Sequence, residues 1–124
     1  MHIYKNKWFA RFADKEGIND QKLCEAVRAV EQGMVDADLG GGVIKQRVAR
    51  TGGGKSGGYR TIILYRKADI AFFVYGFSKN DRENVTRQEL QGFKKLAGEM
   101  LKMTDMDIKR LIKAGHLERV KSNG

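Results

Sequence analysis

The spacing of apolar residues predicts two amphipathic helices in the first third of the chain. Between residues 5 and 16, apolar side chains recur at helical intervals and basic side chains occupy the opposite face. Gly17 follows as a residue suited to end a helix in the left-handed conformation. Asn19 or Asp20 can cap a second helix, which Gly33 closes. Two such helices with a short turn form a helical hairpin, and its apolar sides need a partner.

A strand pattern follows in the middle of the chain. Residues 43–50, 59–67 and 70–79 are rich in β-branched, aromatic and long aliphatic side chains, as strands are. The connection at 67–69 has room only for a tight hairpin turn, so we expect an antiparallel sheet. Residues 1–4 are too few to distinguish a short strand from an extended lead-in.

Alternation along these strands predicts which side chains share a face. Lys45 and Arg47 lie on one face of the first strand, and Arg60 and Arg66 lie on one face of the second. One face of the third strand is predicted to carry Ala71, Phe73, Tyr75, Phe77 and Lys79. We expect one side of this strand to pack on helices and the other to form a concave surface with Tyr75 and Lys79.

The C-terminal part of the chain is again helical by its pattern. Thr86 and Glu89 have the spacing of a capping box and start a helix that runs to about Met103. A short amphipathic segment follows at 105–113, and we expect its small apolar stripe to fold back on the core because it is too weak to stay ordered alone.

Together these elements predict an α+β fold with two N-terminal helices, an antiparallel sheet of three to four strands and a C-terminal helix. The length suits a single domain over residues 1–124. Its core is expected at about 5–103, and residues 104–124 are expected to be a short helical extension.

Charge changes this picture, because it is concentrated in one segment. The 28 residues from 40 to 67 contain seven basic side chains and no acidic one, whereas the other 96 residues carry 17 basic and 15 acidic side chains. A one-signed positive surface attracts a polyanion, and nucleic acid is the default candidate. The seven residues are Lys45, Arg47, Arg50, Lys55, Arg60, Arg66 and Lys67.

The remaining composition excludes several classes of site. The glycine-rich loop around Lys55 is not a P-loop, because Ala49 stands where that motif needs a glycine and a strand follows instead of a helix. Cys24, His2 and His116 are the only cysteine and histidines, too few for a conventional zinc site. One cysteine fits a reducing cytoplasm, and no apolar run approaches the length of a membrane span.

Two sequence blocks carry a family resemblance. DADLGGGVIKQRVAR at 36–50, followed by GKSGGYRT at 54–61, resembles the basic hairpin of the RelE/ParE superfamily of bacterial toxins. The similarity is closest to the RelE-like branch near the HigB toxins. FFVYGFSKN at 72–80 is similar to a strand of the same branch, so the resemblance covers most of residues 5–103.

The resemblance implies the toxin of a type II toxin–antitoxin pair, neutralised by a cognate antitoxin. Such toxins usually enter the ribosomal A site and cut messenger RNA, without metal or cofactor. The ParE branch shares the fold but poisons DNA gyrase, so the fold alone leaves the target open. A non-enzymatic nucleic-acid-binding module or repressor is a further alternative, although no helix-turn-helix is recognisable.

RNA cleavage by its own 2′-hydroxyl needs groups that orient that hydroxyl, move protons and stabilise charge on the phosphate. Arg60 and Arg47 suit the phosphate, because a guanidinium binds two oxygens at once. For catalysis the candidates are Arg60, Lys45, Lys55, Lys79 and Tyr75, the last also as a base-stacking or orienting group. Further RNA-binding candidates are Arg47, Arg50, Arg66 and Lys67. Which group is base and which is acid stays open.

Overall fold

The computed structural model describes residues 1–50 and 58–121. In chain order its elements are β1 (His2–Asn6), α1 (Lys7–Glu16), α2 (Asp20–Glu31), β2 (Ala37–Gly40), β3 (Val43–Val48), β4 (Tyr59–Arg66), β5 (Ile70–Ser78), α3 (Arg87–Met100), α4 (Asp105–Lys113) and β6 (Leu117–Arg119). None of the helices in these two ranges is long and apolar enough to cross a membrane.

Within the described residues the sheet has six strands, in the order β2-β3-β4-β5-β1-β6. β3, β4 and β5 form the predicted antiparallel meander, and β2 extends it along β3. β1 pairs parallel with β5, and β6 pairs antiparallel with β1. The predicted α+β class is confirmed, but the prediction of a purely antiparallel sheet of three to four strands is wrong.

The helical hairpin starts later than its pattern indicated, because β1 continues through Asn6. The side chain of Asn6 accepts a hydrogen bond from the backbone N–H of Phe9 at 2.8 Å and caps α1. Its amide nitrogen also donates to the carbonyl of Val74 at 3.2 Å. One asparagine therefore ends a strand, starts a helix and attaches both to β5.

Helices cover both faces of the sheet. α1 and α2 pack on one face around a cluster that includes Phe9, Leu23, Val27, Ile63 and Phe73. α3 and α4 pack on the other face around a second cluster that includes Ile62, Leu64, Phe72, Ala97 and Ile108. The C-terminal segment therefore folds back on the sheet, with α4 in the second cluster and β6 beside β1.

A β-bulge in β5 decides where Tyr75 points. Ile62 lies opposite Tyr75, but the next residue, Ile63, lies opposite Phe73, so Val74 is an extra residue on β5. The bulge shifts the alternation, and Tyr75 lies on the face covered by α3. The prediction that Tyr75 shares a face with Phe73 is therefore wrong. The neighbouring Gly76 faces α1 instead, where a Cβ would lie 2.6 Å from the Phe12 ring.

Candidate functional site

Strand register brings four of the predicted site residues onto one face of the sheet. Arg47 on β3 lies directly opposite Arg60 on β4, and Ile62 lies opposite both Lys45 and Tyr75. Directly opposite residues on neighbouring strands share a face. Lys45, Arg47, Arg60 and Tyr75 therefore form one surface, which we call the cationic face.

Arg60 occupies the middle of the cationic face. Its side chain is only 16% exposed, and its Nε lies 3.4 Å from the Asp36 carboxylate. Its Nη1 is buried and has no hydrogen-bond partner among the described residues. A buried donor without a partner is costly and rare, and a guanidinium is shaped to bind two oxygens of a phosphate or carboxylate. An anionic ligand that reached Nη1 would supply its missing acceptor.

The position of Asp36 beside Arg60 is fixed by a buried glutamine. The side chain of Gln46 is 5% exposed as a residue and points away from the cationic face. Its Oε1 accepts from the backbone N–H of Asp36 at 2.9 Å, and its Nε2 donates to the carbonyl of Met34 at 3.0 Å. Both polar ends of Gln46 are satisfied, so the segment that carries Asp36 is held against the sheet.

The two cations of β3 differ in exposure. Lys45 is half-buried, and its Nζ lies 3.5 Å from the side-chain oxygen of Asn84. Arg47 is exposed and passes close to Gly58, where an added Cβ would lie 2.8 Å from the Arg47 Nε. A glycine at 58 therefore leaves room for the arginine to lie along the start of β4.

Tyr75 is held by aromatic rings and by an arginine. Its ring stacks on Trp8 at a centroid distance of 4.5 Å and contacts Phe93 of α3 at 5.6 Å. Its hydroxyl accepts a hydrogen bond from the Nη1 of Arg82 at 3.0 Å. Because that hydroxyl accepts from Arg82, its own proton remains available for donation to another group.

Sequence analysis missed Arg82 as a part of this site. Arg82 forms a two-pronged ion pair with Glu89, with Nη2–Oε1 at 2.5 Å and Nη1–Oε2 at 3.1 Å. The hydrogen bond from Arg82, followed by that from the backbone of Thr86, lowers the pKa of Glu89 to about 2. The same pairing raises the pKa of Arg82. The capping box at Thr86 was the available signal, since it places the carboxylate of Glu89 at the start of α3, close to the preceding loop.

Lys79 and Arg50 line a separate cleft of about 220 Å³ near the end of β5. The cleft is also lined by Glu16 and Tyr59, and Tyr59 belongs to the cluster under α1 and α2. Burial, followed by the hydrogen bond to Glu16, raises the pKa of Tyr59. These two predicted residues are thus grouped with the opposite helical layer and not with the cationic face.

Arg66 and Lys67 lie at the far end of β4 from Arg60, about 20 Å along the strand. Arg66 donates to the carbonyl of Leu101, which ends α3, and pairs with Asp69 through Nη2–Oδ2 at 2.5 Å. Its contacts support the C-terminus of α3. Lys55 lies outside the residues that the structure describes.

Acidic and metal-binding side chains are sparse around these positions. Across residues 1–50 and 58–121, no three His, Cys, Asp or Glu side chains are grouped so that they could hold a metal ion. Two carboxylates are ion-paired with arginines at this site: Asp36 with Arg60, and Glu89 with Arg82.

Comparison with known proteins gives one family match. The family model described as the RelE toxin of the RelE / RelB toxin–antitoxin system matches residues 1–120. A comparison with curated proteins finds no match. The family match includes the four helices and six strands of the described residues and the whole cationic face.

Proposed function

The chain belongs to the RelE toxin family of toxin–antitoxin systems, and from this premise we propose that it is a ribosome-dependent endoribonuclease that cuts messenger RNA. The observation that carries the proposal is the buried Nη1 of Arg60 on the cationic face, which has no hydrogen-bond partner within residues 1–50 and 58–121. An RNA phosphate bound there would supply the missing hydrogen-bond acceptor. Lys45 and Arg47 on the same face would add two more positive charges near the phosphate.

The proposed reaction uses the RNA's own 2′-hydroxyl as the nucleophile. Its oxygen attacks the adjacent phosphorus, the bond from phosphorus to the 5′ oxygen breaks, and the products are a 2′,3′-cyclic phosphate and a 5′-hydroxyl. Arg60 and Arg47 neutralise the charge that builds on the phosphate oxygens. No atom of the protein becomes covalently attached, so the residues act by position and charge.

Proton transfer in this scheme falls to Lys45 and Tyr75. The 2′-hydroxyl must lose a proton and the leaving 5′ oxygen must gain one. Lys45 and Tyr75 flank Ile62 on the cationic face, and the Tyr75 hydroxyl, which accepts a hydrogen bond from Arg82, can donate its own proton. Variants of Lys45 and Tyr75 would show which of them is the base and which is the acid. Variants of Lys55 and Lys79 would show whether either also transfers a proton.

The partner antitoxin is expected to oppose the charge of the cationic face. An acidic segment that covers Arg60 and Arg47 would exclude RNA and gain from electrostatic attraction. The exposed sheet edges at β2 and β6, and the surface near the half-exposed Trp8, offer places for an added strand or helix. We also propose that the chain belongs to the RelE-like branch near the HigB toxins.

Arg60→Ala tests the function. The variant and wild type are induced in cells, growth is followed, and 5′ ends of translated messages are mapped. We expect wild type to arrest growth with cleaved mRNA and Arg60→Ala to lose both effects while keeping its circular dichroism spectrum and melting temperature. Arg110→Ala is the matched control, because Arg110 is 76% exposed on α4 and far from β4 in the chain.

Two results contradict the proposal in different ways. Growth arrest by wild type with intact mRNA indicates a different target, such as the DNA gyrase poisoned by ParE-type toxins. Full cleavage by a folded Arg60→Ala variant removes Arg60 from the site and leaves the ribonuclease function standing.

A further inference from the structure

Glu89 at the start of α3 does two separate jobs. It completes the capping box, since its Oε1 accepts from the backbone N–H of Thr86 at 2.7 Å and its own N–H donates to the Thr86 hydroxyl at 3.1 Å. It also holds both terminal nitrogens of Arg82. A helix cap needs only the first set of contacts. The second set connects α3 to the cationic face.

All three guanidinium nitrogens of Arg82 are engaged within the protein. Nη1 donates to Glu89 and to the Tyr75 hydroxyl, Nη2 donates to Glu89, and Nε donates to the carbonyl of Asn84 at 3.0 Å. The guanidinium also lies 5.9 Å from the ring centre of Tyr75 and 5.6 Å from that of Phe77. Arg82 therefore differs from Arg60, whose buried Nη1 has no hydrogen-bond partner among the described residues, and Arg82 is unsuited to bind a phosphate without breaking these contacts.

The same contacts continue to the lysine of the cationic face. Arg82 fixes the carbonyl of Asn84, and the side-chain oxygen of Asn84 accepts from the backbone N–H of Val85 at 2.9 Å. That oxygen also lies 3.5 Å from the Nζ of Lys45. A continuous set of contacts thus runs from Glu89 through Arg82 to Tyr75 on one branch and through Asn84 to Lys45 on the other.

We propose that Glu89 is a positioning residue, which acts through Arg82 to fix the Tyr75 hydroxyl and the Lys45 ammonium for RNA cleavage. The inference rests on the ribonuclease function proposed above. A carboxylate is required because only a charged acceptor with two oxygens holds both ends of the guanidinium and neutralises it. Without that pairing, Arg82 would be free to turn toward the phosphate or the solvent, and Tyr75 would lose its hydrogen-bond donor.

The two jobs of Glu89 can be separated by two variants. Glu89→Gln keeps an oxygen for the Thr86 N–H, because glutamine also completes a capping box, but it removes the charge that holds Arg82. Thr86→Ala removes the hydroxyl of the cap but keeps the backbone N–H and the Arg82–Glu89 pair. Each variant is assayed for single-turnover mRNA cleavage on programmed ribosomes, for ribosome affinity, and for melting temperature.

We expect Glu89→Gln to cut on the order of ten- to a hundredfold more slowly than wild type at saturating ribosomes, with unchanged ribosome affinity. Thr86→Ala should melt at a lower temperature and cut at the wild-type rate well below that temperature. The fluorescence of Trp8, the single tryptophan, gives a reading independent of activity, since Trp8 stacks on Tyr75. Its emission should shift in Glu89→Gln and stay as in wild type in Thr86→Ala.

The inference is overturned if Glu89→Gln cuts at the wild-type rate, or if Thr86→Ala slows cleavage as much as Glu89→Gln does. The second result would mean that Glu89 matters only as part of the helix cap. If wild type cuts no mRNA at all, the ribonuclease function fails first, and Trp8 emission then decides whether Glu89 positions Tyr75. An unchanged emission in Glu89→Gln rejects the positioning role as well.

Discussion

Three arginines show how far a residue's role depends on its partners. Among the described residues, Arg60 has one carboxylate at 3.4 Å and a buried Nη1 without a partner, Arg66 donates to the carbonyl of Leu101 at the end of α3, and every guanidinium nitrogen of Arg82 has a partner. Alternation along β4 correctly predicts that Arg60 and Arg66 lie on the same face of the strand. Alternation carries no information about which residues contact each arginine. Asp36 and Leu101 come from parts of the chain more than twenty residues away, whereas Arg82 takes Tyr75 and Glu89 from seven residues away on either side.

A partly buried carboxylate, Asp20 at the start of α2, leads to a pH-dependent prediction. Asp20 accepts from the Nζ of Lys5 and from the backbone N–H of Lys121, both at 2.9 Å. Burial alone would raise the pKa of Asp20, but the hydrogen bonds from Lys121 and Lys5 outweigh it and lower the pKa. A lowered pKa in the folded state stabilises the fold above the unfolded value, about 3.9, and this stabilisation is lost as the pH falls through the folded value.

Asp20→Asn should therefore lower the free energy of unfolding by about 1 kcal/mol at pH 7. The difference from wild type should shrink as the pH falls below about 4, because wild-type Asp20 then becomes neutral as well. Urea unfolding at pH 7 and at several values below 4 measures this. Glu99→Gln on the exposed side of α3 is the control, and a difference that stays constant with pH would contradict the assignment.

At the scale of elements, length and periodicity decided what could be predicted. β3, β4 and β5 were located to within two residues, because six to nine residues of strand pattern are a strong signal. β2 and β6 have four and three residues and carry no pattern of their own, so only their neighbours in the sheet make them strands. The bulge at Val74 had one local sign, the glycine at 76, since a glycine inside a strand often marks a bulge or a close approach.

α3 offers a stability prediction at this scale. Gly92 and Gly98 lie inside the helix, and a Cβ at either position would meet no heavy atom within 4 Å. Glycine weakens a helix because it has more backbone freedom to lose on folding. Gly92→Ala and Gly98→Ala should each raise the free energy of unfolding by about 0.5–1 kcal/mol in chemical denaturation.

A third glycine makes the matched control. Gly76→Ala should destabilise the protein by about 1–3 kcal/mol, because the new methyl group would lie 2.6 Å from Phe12 and 3.2 Å from Phe9. A loss of stability in Gly92→Ala or Gly98→Ala would show that the outer face of α3 makes contacts in solution that require glycine.

For the whole molecule, the charge pattern predicted a segment, and the structure shows how the residues of that segment are distributed over the sheet. Four predicted residues meet on the cationic face, although Tyr75 arrives there through a bulge that alternation could not reveal. The same charged segment also contributes to the far end of β4 and to the cleft beside β5, because a hairpin spreads its cations along its length. The density of basic residues in the sequence identified the segment. The register of the sheet shows which of its cations lie together on the cationic face and which lie elsewhere.

The C-terminal strand gives a prediction for the whole fold. Leu117 of β6 is 2% exposed and packs in the cluster under α3 and α4. Leu117→Ala should lower the free energy of unfolding by about 2–5 kcal/mol. The neighbouring Glu118 is exposed, so Glu118→Ala should change the melting temperature little. Equal melting temperatures for the two variants would mean that β6 does not contribute to the core in solution.

The pairing of β1 sets an order of events during folding. β3, β4 and β5 are joined by short connections and can assemble while the chain is still growing, but β1 must wait for β5, and β6 can join only after β1 has docked. Pulse-labelled hydrogen exchange should accordingly protect the amides of β4 before those of β1 and β6. A toxin built in this way would reach its native state late, after its C-terminal strand has left the ribosome that made it.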